Sequence, residues 1–98
     1  MGYTYMNTYY AVTITQMSVT EKVRDIVKMD NNSYLHQALF SNIDSAFDFA
    51  ENHVASLLPE SLGFFEREKM KYSVAYTRES PIGFLRVSYE ISEMYISQ

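Results

Sequence analysis

The chain has 98 residues, room for one small domain with one core, so residues 1–98 are read as a single globular unit. Hydrophobic residues at 47% against 20% charged mark a folding chain rather than a disordered one, and no apolar run nears the roughly 20 residues that cross a bilayer. A net charge of −4 argues against binders driven by clustered cations, and the absence of cysteine removes disulfides, thiol nucleophiles and cysteine metal cages.

The opening "MGYTYMNTYY" lacks the basic start and apolar middle of a signal peptide. Its Met-Gly start does not fit myristoylation, which wants Ser or Thr where Met6 stands. A short chain without covalent staples must be held by its core, and a cytoplasmic setting is expected.

Residues 9–15, "YYAVTIT", alternate Tyr10, Val12 and Ile14 with Ala11, Thr13 and Thr15, which predicts a strand. Beyond Ile14 the apolar positions move to Met17 and Val19, which predicts a bulge or the strand's end. Residues 18–29 fit two templates. As a helix, Ser18 and Glu21 make a capping box; as a strand, Val23, Val27 and Met29 share a face. We adopt the strand, because "DNN" at 30–32 then turns between two β-like runs. Residues 33–40 read as a third strand.

The strongest periodicity follows. Ile43, Ala46, Phe47, Ala50, Val54, Leu57 and Leu58 make one apolar stripe, predicting an amphipathic helix over 42–58 with Ser41 and Asp44 as its capping pair. Pro59 stops it. Residues 60–70 read as a connector with at most one helical turn, since Gly63 interrupts anything longer. Tyr72, Val74 and Tyr76, then Leu85, Val87, Tyr89 and Ile91, predict an antiparallel hairpin around "RESPIG". Tyr72, Tyr76 and Tyr89 are expected at the core's rim. The fold class is therefore α+β: an antiparallel sheet of four to five strands with one main amphipathic helix on one face, in the order βββαββ. A helix at 18–29 would give βαβαββ instead.

His36 and His53 are the only histidines and carry no metal-ligand spacing, so no metal and no cofactor is expected. Three scattered glycines cannot cradle a phosphate, and no serine stands in a nucleophile elbow or a Ser-x-x-Lys pair. No catalytic residue is accordingly expected. The candidate contact residues are Tyr3, Tyr5 and Tyr9, whose phase is opposite to Tyr10, Val12 and Ile14, together with Phe49, which falls off the helix's apolar stripe. Phe49 either packs under the connector or meets a partner. Asp44, Asp48 and Glu51 form an acidic row beside it that would set the electrostatics of contact. Tyrosine gives large, rigid contact area at low entropy cost, although cross-strand aromatic pairing explains the same pattern without a partner.

These features point to a non-enzymatic protein–protein interaction module, a small accessory or inhibitory factor for a larger protein or nucleoprotein of mobile-element type, without membrane contact. The alternatives are a homodimer formed by strand pairing through 3–15 or 85–96, and a weak single-stranded nucleic-acid binder using Lys22, Arg24 and Lys28.

Overall fold

Seven elements make up the computed structural model, which describes residues 6–22, 26–81 and 83–97. Strand β1 runs Met6–Lys22 and β2 runs Ile26–Leu35. Helix α1 spans Ile43–Leu57, followed by a 3₁₀ turn at Leu62–Phe64. Then come β3 at Glu66–Lys69, β4 at Ser73–Ser80 and β5 at Gly83–Ser97. One five-stranded sheet has the order β2-β1-β5-β4-β3, with every neighbouring pair antiparallel. The α+β class and single main helix are as the sequence predicts. The element order is ββαβββ rather than βββαββ or βαβαββ.

Three local differences produce that change of order. Residues 18–22 and 26–29 are strand, but they belong to two strands, and the candidate turn "DNN" lies inside β2, opposite Ser18, Met17 and Gln16. Edge strands with water on both faces tolerate such polar residues. Residues 33–40 are no separate strand: Ser33–Leu35 finish β2, and Phe40 makes one isolated bridge to Tyr10. The charged run Glu66–Lys69, expected in a connector, pairs with β4 as an edge strand with every residue exposed.

The expected bulge after Ile14 is absent from β1, whose register with β5 continues from Met6 through Thr20. Met17 and Val19 change face because the helix no longer covers the sheet there, so the alternation loses its cause. In the covered part, rows of side chains cross the strands in register. One row reads Tyr34, Ile14, Tyr89, Val74 and Lys69. Val12, Ile14, Val74, Tyr76, Val87, Tyr89 and Ile91 of that face pack against Ala46, Phe47, Ala50 and Val54 of α1. Each large apolar side chain buried there contributes about 1.5–3 kcal/mol.

The opposite face is bare. Thr13, Thr15, Ser33, Ser73, Ala75, Thr77 and Ser88 cross it, with a Thr15–Ser33 hydroxyl contact of 3.1 Å, and no described element lies over it. The molecule is long, 69 × 26 × 20 Å, with a radius of gyration of 17.1 Å. A globular chain of this length would have about 13 Å. The cause is a mismatch of lengths. Fifteen strand residues reach about 50 Å and fifteen helical residues only about 22 Å, so β1 and β5 run past their helix.

Candidate functional site

Two regions concentrate side-chain chemistry: a seam of aromatic rings and histidines beside α1, and the free end of the β1–β5 ribbon.

The seam forms because the chain leaving β2 continues along β1 beside α1. His36 N–H donates to the Val12 carbonyl at 2.9 Å, and Tyr10 and Phe40 exchange both main-chain bonds. These bonds hold 36–40 along the edge of β1, beside the helix. Phe49 then sits between His36 and His53, with centroid distances of 4.1 and 5.4 Å, and 5.3 Å from Phe40. Its place off the apolar stripe is thus answered by the 36–40 segment, not by the 60–70 connector. His53 lies next in the chain of contacts. Its Nδ1 is 2.7 Å from the Tyr89 hydroxyl and its Nε2 is 3.4 Å from the Tyr34 hydroxyl.

Tyr89 is fully buried, and desolvation pushes its phenol far above the ordinary range, so it keeps its proton. Burial, reinforced by His36, holds the His53 imidazole below its usual value. These directions and distances fit a neutral ring, with Tyr89 O–H donating to Nδ1 and Nε2–H directed at Tyr34. Tyr89 therefore sits deeper than the rim expected for it. Tyr76 is also buried, its ring edge-on to Tyr89, whereas Tyr72 is exposed. The seam is a packing device that closes a buried hydroxyl. Among the described residues no group of three or more His, Asp or Glu could hold a metal ion.

The ribbon end has a different character. The last pair of β4 with β5 is Ser73–Glu90, while β1 and β5 stay paired to Met6–Ser97. Past Tyr10 and Glu93 only these two strands continue, and nothing described covers either face. Alternation places Tyr9, Met94 and Ile96 on the bare face of the sheet and Glu93 and Tyr95 on the helix side. Met94 and Ile96 are each 40% exposed and Tyr95 is 59% exposed. The Glu93 carboxylate accepts from the Tyr95 hydroxyl at 2.6 Å and the Tyr72 hydroxyl at 3.2 Å. These donors, with Lys71 nearby, hold its carboxyl below the usual range, Tyr95 first.

The seven sequence candidates do not make one surface. Tyr3 and Tyr5 lie outside the described residues. Tyr9 is half-buried on the bare sheet face, whereas Phe49 is half-buried in the seam on the other side. Asp44 and Asp48 are exposed on α1, and Glu51 is tied to Arg67 at 2.6 Å. Of the basic row, Arg24 lies outside the described residues and Lys28 is exposed on β2. Sequence reading missed Met94, Tyr95 and Ile96 because alternation alone cannot show where a covering helix ends.

Comparison of the chain with known protein families, curated proteins and solved structures finds no match. No helix among the described residues is long and apolar enough to cross a membrane.

Proposed function

We propose that the chain is a non-enzymatic binding module that docks a larger protein through the bare-face side of its ribbon end, using Tyr9, Met94 and Ile96. The observation that carries this reading is the position of those side chains. They are large and apolar, they stand together, and they occupy a two-stranded ribbon that extends past helix and third strand alike. Two-stranded ribbons are marginal by themselves, so side chains there add little to the fold. Clustered apolar exposure of this kind marks contact surfaces.

This reading keeps Tyr9 from the sequence candidates. It assigns Phe49 to packing and leaves the acidic row of α1 on the far layer. Accessory or inhibitory action on a mobile-element protein or nucleoprotein remains the class of role such a surface serves, in a cytoplasmic setting. The test is affinity capture from the native host followed by mass spectrometry, with wild type beside the double variant Met94→Ala, Ile96→Ala. A captured protein lost from the variant supports the proposal, and equal capture by both rejects it.

A further inference from the structure

Open strand edges are templates for pairing, and proteins blunt them with short length, lysine, proline or bulges. Two edges of this sheet are blunted. Strand β3 is four residues long, "EREK", all charged and exposed. Strand β2 carries Lys28 and Asp30 and the strand-averse Asn31 and Asn32. Among the edges left open, the outer side of β5 beyond Ile91 has no such device. Its sequence from Ile91 is "ISEMYIS", without lysine or proline, and its register with β1 is unbroken to Ser97.

The main chain there has a definite orientation. Ile91 N–H donates to the Tyr72 carbonyl at 2.8 Å, so odd-numbered residues of β5 direct their main-chain groups away from β1. The amides and carbonyls of Glu93 and Tyr95 therefore face the open edge, where no described strand meets them.

We infer that a second copy of this chain pairs antiparallel with residues 92–96 of β5 about a two-fold axis at Met94, joining two five-stranded sheets into one. Charge selects the register. An axis at Glu93 would set two carboxylates face to face. An axis at Met94 instead sets each Glu93 opposite the other copy's Tyr95, the same phenol type that donates to Glu93 within one chain. Glu93 and Tyr95 become the hydrogen-bonded pairs of the new ladder. Met94 meets its own copy in a non-hydrogen-bonded pair with Cα atoms about 4.5 Å apart. A two-fold axis perpendicular to the sheet keeps both helices on one side. The two Tyr9, Met94 and Ile96 patches then adjoin on the other, as one bivalent surface. The pairing goes beyond the contact proposed above, because it uses the main chain of an edge and not the side chains of a face.

The experiment is the mass in solution, by sedimentation or light scattering, of wild type and of Tyr95→Pro. The Tyr95 amide faces away from β1, so proline there removes an edge donor and spares the β1 ladder. A single cysteine, introduced as Met94→Cys in a chain that has none, reports the register under mild oxidation, since its expected Cα separation suits a disulfide. Wild type is expected at twice the chain mass, Tyr95→Pro at the chain mass, and Met94→Cys as a covalent dimer, with Lys28→Cys on the β2 edge left uncrosslinked. Should Tyr95→Pro fail to fold, the Met94→Cys result decides. Wild type at the single-chain mass up to its solubility limit overturns the inference, as does a folded Tyr95→Pro dimer or crosslinking through Lys28→Cys. A monomer that still loses its captured protein on Met94→Ala, Ile96→Ala ends the pairing and leaves the binding proposal standing.

Discussion

At the scale of single residues, the contact between His53 and Tyr89 is the most consequential. A buried hydroxyl without a partner costs about 1–3 kcal/mol, and His53 is the partner Tyr89 has. His53→Ala is thus expected to destabilise more than Tyr89→Phe, because only the first leaves a buried donor unmet. Chemical denaturation of both variants measures the difference. The same ring sets a pH dependence. Native His53 resists protonation relative to its ordinary value of 6.5, so between the lowered native value and 6.5 the unfolded chain binds the extra proton. The associated stability is complete above pH 6.5 and declines as pH falls toward the native value. Melting temperature should fall as pH drops below 6.5, and His53→Asn should flatten that fall. The Glu93 carboxylate is held low, so its titration lies below this window.

Gly83 is fixed by a different constraint. Its φ of 153° lies where side chains rarely go, and a Cβ built there would stand 1.8 Å from the Val19 carbonyl oxygen of β1. The obstacle is backbone, which cannot swing aside. Gly83→Ala is expected to cost about 2 kcal/mol or more, visible as a shifted denaturation midpoint.

At the scale of elements, α1 is the most legible part of the sequence and its first turn is not. The apolar stripe from Ile43 to Leu58 locates the helix within a residue at each end. Ser41, Asn42 and Asp44 are all good capping types, however, and spacing cannot rank them. Asn42 is the N-cap, in extended backbone, and its Oδ1 accepts from the Ser45 amide at 2.8 Å. Asn42→Ala should therefore cost about 1 kcal/mol and Ser41→Ala nearly nothing, as measured by thermal melts of the two variants. Strands are illegible wherever both of their faces are wet. Asp30, Asn31 and Asn32 look like a turn because a strand needs apolar alternation only where something covers one face. Glu66–Lys69 looks like a solvated run for the same reason, and it is solvated, as an edge strand. The seam is invisible from spacing because His36, Phe49, His53 and Tyr89 line up only once 36–40 is bonded along β1 beside α1.

At the scale of the whole molecule, one length mismatch governs both fold and surface. A helix of about 22 Å covers the middle of two strands more than twice as long, and one uncovered end carries Met94, Tyr95 and Ile96 exposed. The central claim is that Met94 and Ile96 serve contact and Ile14 serves the fold. The direct test compares the melting temperature of Met94→Ala, Ile96→Ala with that of Ile14→Ala, the fully buried residue in the middle of the sheet. Ile14→Ala is expected to lose about 2–5 kcal/mol, or roughly 10 °C and more. The ribbon double variant should lose less than half of that. An equal or larger loss from the ribbon variant would make those side chains part of the core and contradict the claim.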